Sequence, residues 1–389
     1  MSESDGDALP RATATFVERL ELRRFRSHRA FIENFEPGPI AIYGPNGAGK
    51  TNILEAVSIL APGRGLRGAR AELLAGRPDP IGWTVKARLS FGGDPSELTA
   101  QLDLRPGASD RGKRRVTLDG APISQAALAN QIRALWLTPA MDRLWIEGAS
   151  ERRRFLDRIT LGFDPDHGAQ SAEYERAMRE RNRLLKESRD AGATPPSAWL
   201  DALEDRMAQA ACAITASRSA AIDALAQAQQ AAAQQAGASE VFPKADLAIQ
   251  TPDGLRPEAN VDVLRERFGR GRRTDAAAGR TLCGPHRDDL SAIYAAKGLE
   301  AGQCSTGEQK ALLISLILAA ARAQTASTGP TPLLLLDEVA AHLDDGRRAA
   351  LYQELTLLGV QAWLTGTGPE LFSSLADTAQ MLNLAAIAP

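Results

Sequence analysis

Cysteine, aromatic side chains and an excess of either charge are all scarce in this chain, and each shortage removes a class of protein. Three cysteines (Cys212, Cys283 and Cys304) in 389 residues make no C-x-x-C pair. Neither a zinc cage nor a disulfide framework is supported, and a reduced, cytoplasmic protein is expected. Lys plus Arg number 46 against 48 Asp plus Glu, a formal net charge of −2. Any surface for nucleic acid must therefore be local. Only four histidines are present; His286 has no second His nearby and is expected in a hydrogen-bonded turn, not as a metal ligand. The longest apolar stretch, Ala311 to Ala321, falls short of the roughly 20 residues a membrane span needs. No membrane partner is expected. Met1 to Thr15 is polar and acidic without an apolar signal core, and reads as a disordered tail.

What is present is a nucleotide site in two pieces. Residues 44–51 read G-P-N-G-A-G-K-T between an apolar strand and a helical pattern, the context a phosphate loop requires. Its glycines let backbone N–H groups turn toward phosphate oxygens, and the following helix adds its positive end. The loop assigns Gly44, Pro45, Asn46, Gly47, Ala48, Gly49, Lys50, Thr51 and Asn52 to ATP. Lys50 would reach the β- and γ-phosphates, and the Thr51 hydroxyl would ligate Mg²⁺.

The second piece is L-L-L-L-D-E at 333–338. Four leucines bury a central strand and deliver Asp337 to Mg²⁺, with Glu338 placed to orient or deprotonate water. Glu338, Asp337 and Lys50 are the expected catalytic residues. Upstream, S-T-G-E-Q at 305–309 opens a helix. Ser305, Gly307 and Gln309 there would form an anion-binding helix N-terminus, although Ser followed by Glu also fits a capping box. Asp344, in A-H-L-D, resembles the aspartate loop that crosses an ABC dimer interface.

Periodicity organises the rest. Phe16 to Phe25, Ala30 to Phe35, Trp83 to Phe91 and Leu98 to Leu104 alternate as strands, and Arg111 to Leu118 is a basic strand or loop. Leu135 to Thr138, Leu333 to Leu336 and Gln361 to Thr365 read as core strands. Glu151 to Phe163, Ala169 to Asp190 and Ser197 to Ala236 read as helices, the last two separated by Pro195-Pro196. Glu240 to Gln250 is a return strand, Asn260 to Phe268 a helix, and Leu290 to Tyr294 a strand. Thr306 to Ala323 and His342 to Leu358 are helices. The fold class is therefore α/β: an ABC-type P-loop ATPase lobe, with a mixed sheet and helices, and a compact helical arm inserted between its halves. Expected boundaries are a tail at 1–15, ATPase lobe at 16–149 and 269–389, and helical arm at 150–268.

These motifs resemble the RecF family of bacterial recombination and replication-repair ATPases over most of the chain. The resemblance is carried by residues 20–28, 44–56 and 61–67, and above all by R-R-R-F-L-D-R (152–158) and C-G-P-H-R-D-D-L (283–290). It implies that ATP joins two protomers, Ser305 of each capping the partner's nucleotide, and that the homodimer clamps double-stranded DNA near gap junctions. It also implies a weak, DNA-stimulated ATPase acting as a switch, working with RecR and RecO to load RecA. Candidate DNA contacts are Arg64, Arg67 and Arg70; Lys113, Arg114 and Arg115; and Arg270, Arg272 and Arg273. Arg152 to Arg154 open a helix and read as structural or nucleotide-linked.

Two departures from ABC transporters stand out: Thr306 precedes a single Gly307 where the usual signature has two glycines, and the Gln loop and switch His are missing. Neither L-T-P-A-M-D (137–142) nor T-G-T (365–367) supplies the expected Gln or switch His, so Thr365 or Thr367 is the candidate γ-phosphate sensor. A transporter ATPase subunit is the rival reading, opposed by that missing His. An SMC-like structural clamp would need long coiled coils, and the insert has no sustained heptads. A nuclease fusion would need an acidic metal cluster in extra sequence.

Overall fold

Alternation in Phe16 to Phe25 produces β1 (Thr15–Phe25), which buries Val17, Leu20, Leu22 and Phe25 on one face. It belongs to a computed structural model that describes residues 14–76, 81–91 (backbone only at Phe91), 95–108, 111–193, 197–234 and 242–386. The expected tail lies outside the described residues up to residue 13, but Thr15 already pairs in β1. Pro195-Pro196 and Glu240 also lie outside them.

Along the chain follow β2 (His28–Asn34), β3 (Pro39–Tyr43), α1 (Lys50–Leu60), β4 (Gly82–Phe91), β5 (Ser96–Asp103), β6 (Arg115–Leu118) and β7 (Ala121–Pro122). Next come α2 (Gln125–Ala129), β8 (Arg133–Leu137), α3 (Ala149–Leu161), α4 (His167–Asp190) and α5 (Ser197–Gln234). Then come β9 (Ala245–Gln250), α6 (Val261–Ala278), β10 (Asp289–Tyr294) and β11 (Leu299–Glu300). The last elements are α7 (Thr306–Ala326), β12 (Pro332–Leu336), α8 (Asp345–Leu358), β13 (Ala362–Gly366) and β14 (Gln380–Asn383).

The sequence reading names no element at α2, β7 or β11, and three further elements differ from it. α6 continues past Phe268 to Ala278, because its glycines lie inside the helix and Asp275 is buried on its inner face. α8 starts at Asp345 instead of His342, with Asp344 as its N-cap accepting from Arg347 N–H at 2.8 Å. β14 carries no periodic signal, being a four-residue edge strand.

The chain folds into two compact units. One comprises Met1–Met141, Ser239–Phe242 and Ala320–Pro389; the other comprises Asp142–Ala238 and Pro243–Ala319. Periodicity suggests boundaries at 150 and 268. Packing extends the second unit to Ala319, because α6 lies on α4 and α5, and β9 pairs with β10.

The first unit has two sheets. One is antiparallel, ordered β2-β1-β4-β5-β6-β7; the other is parallel, ordered β14-β3-β13-β12-β8. α1 packs on β1, β4 and β5 of the first sheet and on β13 of the second. It is therefore buried nearly all round, from Ile53 through Leu60. The sequence spacing shows one apolar face; enclosure between two sheets accounts for the rest. Gln361 stitches β1 to β13, accepting from Val17 N–H at 2.9 Å and donating to Val17 O at 3.0 Å.

The second unit packs α4, α5 and α6 around Tyr174, Leu203, Met207, Ile214 and Phe268. In their midst is Arg181, fully buried, which donates to Glu204 at 2.8 Å, to Asp275 at 2.7 Å and to Phe268 O at 2.7 Å. Two buried carboxylates thus share a guanidinium.

Candidate nucleotide site

A cleft of about 230 Å³ lies over the start of α1, lined by Asn46, Gly47, Gly49, Lys50, Thr51, Asn52, Arg67 and Glu338. It is built on the carboxyl ends of parallel strands β3 and β12, where chain reversals leave backbone groups unpaired. The glycine loop bends as its sequence requires. Gly47 and Gly49 take φ of 84° and 92°, a region that favours glycine. A Cβ on Gly49 would also lie 2.6 Å from His28 Nε2 and 2.9 Å from Ser27 Oγ.

His28 explains that closeness. Its Nε2 lies 3.1 Å from Gly49 O, and burial pushes its pKa below the usual 6.5. A neutral ring thus donates to the loop. Asn52 is fixed alongside, donating to Ser27 Oγ at 2.7 Å and accepting from Arg67 at 3.0 Å. Sequence reading missed His28 and Ser27 as loop supports; the stretch R-F-R-S-H ahead of the loop was the available signal.

The Lys50 ammonium donates to the loop's own carbonyls, Gly44 O at 2.7 Å and Pro45 O at 3.0 Å. β12 delivers Asp337 from across the sheet. Thr51 Oγ1 donates to Asp337 Oδ1 at 2.9 Å, and Thr365 Oγ1 donates to the same oxygen at 2.8 Å. Burial raises the Asp337 pKa, opposed by these two hydroxyls. A hydroxyl and a carboxylate oxygen side by side at a polar cleft suit a small hard cation. The loop glycines, Lys50 and the α1 N-terminus suit a polyphosphate.

Glu338 adopts φ of 53°, a strained setting for a non-glycine residue and one that collects at functional sites. Its N–H donates to Thr365 Oγ1 at 2.9 Å. Thr365 is fully buried and Thr367 exposed. Thr365 therefore holds the two acids in place and does not face the cleft.

The remaining candidates divide. Arg67 lines the nucleotide cleft and pairs with Glu55 at 3.2 Å; Glu55 is itself buried and gripped by Arg26 at 2.7 Å. Arg114 turns inward to Gly63 O at 2.7 Å and to Ile59 O near the end of α1, and burial lowers its pKa to about 10. Arg272 is held by Glu204 and Asp201, and Arg270 pairs with Glu266 one helical turn away. Burial thus commits Arg114 to the protein's own carbonyls, and ion pairing commits Arg272 to its own carboxylates. Arg64, Arg70, Lys113, Arg115 and Arg273 are exposed.

In the second unit, Ser305 and Glu308 form the capping box. Ser305 Oγ donates to Glu308 Oε2 at 2.8 Å, and Ser305 N–H donates to the same oxygen at 2.9 Å. Ser305, Thr306 and Gly307 are exposed at the head of α7. Gln309 is not: it is buried, its amide donating to Cys304 O at 2.9 Å. Asp344 is exposed at its cap position.

The diagnostic segments meet each other. Arg152 donates to both Asp289 carboxylate oxygens through Nε and Nη2, at 2.8 and 2.7 Å, and Arg153 donates to Asp288 O at 2.6 Å. Arg154 pairs with Glu151 at the surface. His286 Nε2 lies 3.1 Å from Thr281 O, and its Nδ1 lies 2.8 Å from Tyr174 Oη. It thus sits in a hydrogen-bonded turn.

Among known proteins, the family described as the RecF/RecN/SMC N terminal domain matches residues 16–381. A DNA replication and repair protein RecF of Rhizobium rhizogenes is 44% identical over 375 residues, spanning 95% of this chain and 97% of that protein. Its counterpart in Brucella suis biovar 1 is 44% identical over 380 residues, spanning 95% and 94%. Among solved structures, the recombination mediator protein RecF-ATP of the RecFOR pathway matches with a TM-score of 0.78 at 22% identity, covering 91% of this chain and 92% of that one. At that identity the likeness concerns the fold.

Proposed function

The chain belongs to the RecF family of DNA replication and repair proteins, and on that premise we propose that it is an ATP-switched clamp for duplex DNA. The carrying observation is the bond between Thr51 and Asp337, 286 residues apart in sequence, which brings the two motifs together and supports reading them as one phosphate-and-cation site. Thr51 and Asp337 would hold Mg²⁺, whose positive charge would offset that of the phosphates. Lys50 and the loop N–H groups bind and orient the phosphate chain, and Glu338 holds the proton-accepting position for water.

Ser305 of one protomer would cap the nucleotide of its partner, so that ATP drives dimer formation and slow hydrolysis reverses it. Exposure of Ser305, Thr306 and Gly307 at the head of α7 supports this assignment, since a helix N-terminus favours an anion. The clamp would act at gap junctions and, with RecR and RecO, assist RecA loading.

Sizing the purified protein with ATPγS, ATP or ADP, with and without duplex DNA, tests this reading. A monomer in ADP and a dimer in ATPγS are expected, with DNA binding that follows dimerisation. Monomers that bind DNA equally in every nucleotide state would refute the clamp.

A further inference from the structure

The antiparallel sheet of the first unit carries a second cleft, of about 380 Å³, which shares no lining residue with the proposed nucleotide cleft. Among the described residues its lining holds Arg23, Arg24, Arg105, Lys113 and Arg115 against one carboxylate, Asp103. That carboxylate is already bonded by Arg105 Nε at 3.0 Å, which pulls its pKa down to about 2. In a chain of net charge −2, this is a sharp local concentration of positive charge.

Strand register gives the cleft its order. Arg23 pairs with Thr84, Thr84 with Gln101, and Gln101 with Arg115. Four residues therefore stand in one rank across β1, β4, β5 and β6. With strands ~4.8 Å apart, the rank is ~14 Å long. A guanidinium stands at each end, with a hydroxyl and an amide between. Successive strand residues normally point to opposite faces, yet Arg24 lines the same cleft as Arg23. The cause is its left-handed backbone, φ 52°, a strained conformation for arginine.

We propose that this rank holds the sugar-phosphate backbone of duplex DNA; the proposal rests on the reading of the chain as a DNA clamp and selects one surface among its basic candidates. Cations and neutral hydrogen-bond donors on rigid strands are the groups that position a duplex without reading its bases. Phosphates follow one another at ~3.4 Å of rise along each strand, so the rank spans several. A free nucleotide fits poorly. Trp83, the aromatic residue of the lining, is buried with its indole N–H donated to Ala71 O at 2.8 Å, which leaves no face for a base. Of the triplet Lys113-Arg114-Arg115, the two outer residues line the cleft and the middle one turns inward.

The test compares the native chain, Arg23→Ala/Arg115→Ala and, as a control on the same sheet outside the cleft, Arg88→Ala. A labelled duplex is titrated with each in ATPγS at several salt concentrations, and nucleotide binding and dimer formation are measured in parallel. The double variant should bind duplex roughly ten-fold more weakly or worse, with a salt slope shallower by about 2, near 0.9 per lost phosphate contact. Its nucleotide binding and dimer formation should match the native chain, as should all properties of the control. Native affinity and slope in the double variant would overturn the cleft while leaving the clamp standing. If the native chain binds no duplex in any nucleotide state, the clamp reading itself falls, and the cleft with it.

Discussion

Thr365 joins Asp337 to Glu338: its hydroxyl donates to the Asp337 carboxylate at 2.8 Å and accepts from the Glu338 N–H at 2.9 Å. One buried side chain thus fixes both the proposed cation ligand and the strained residue that would handle water. Thr365→Val keeps the volume but loses both bonds. ATP hydrolysis should fall by about 10- to 100-fold, with nucleotide affinity changed far less, while Thr365→Ser should restore it. Equal loss in the Val and Ser variants would mean that packing matters here, not the hydroxyl.

Arg67 lines the proposed nucleotide cleft with Asn52 and donates to Asn52 and to Glu55. Arg67→Ala should weaken nucleotide binding by about 5- to 10-fold and leave duplex affinity at saturating nucleotide unchanged. Titration with a fluorescent ATP analogue, followed by duplex binding, separates the two effects.

Ser305 is exposed and held by its own capping box. Ser305→Arg should bind ATP normally and stay monomeric in ATPγS. Ser305→Ala, which removes the hydroxyl of the helix cap, should cost about 0.5–2 kcal/mol of stability. Normal dimerisation of the Arg variant, read by light scattering, would refute capping of a partner's nucleotide.

Arg181 neutralises Glu204 and Asp275 inside the second unit. Arg181→Met leaves two carboxylates buried against fewer cations and should cost about 3–5 kcal/mol. Adding Glu204→Gln and Asp275→Asn should recover part of that loss in thermal melts.

Burial raises the Asp288 pKa to about 6, while burial holds His286 down at about 4. The signs oppose. A carboxyl raised above its unfolded value destabilises the ionised protein above pH 6, and that cost disappears as pH falls toward 4. A histidine lowered below its unfolded value instead costs stability as pH falls below 6.5. Asp288→Asn should therefore stabilise the chain by about 1–3 kcal/mol at pH 7.5, with the gain vanishing near pH 4. A gain independent of pH in denaturant titrations would exclude ionisation as its cause.

The sequence by itself determined the glycine loop, the L-L-L-L-D-E strand, the capping turn at Ser305 and nearly every long element. Each of these depends on local spacing: a glycine where φ must be positive, apolar residues at a strand or helix period, an acid three residues after a serine. The surroundings of Arg67, Arg114 and Thr365 are not legible there, because burial and distant partners set them. Arg114 lies in a basic run yet points at Ile59 O; Thr365 lies in a core strand yet bonds two acids beyond the end of another. Only tertiary structure set Arg23, Thr84, Gln101 and Arg115 in one rank, because hydrogen-bonded register, and no spacing along the chain, brings four strands side by side.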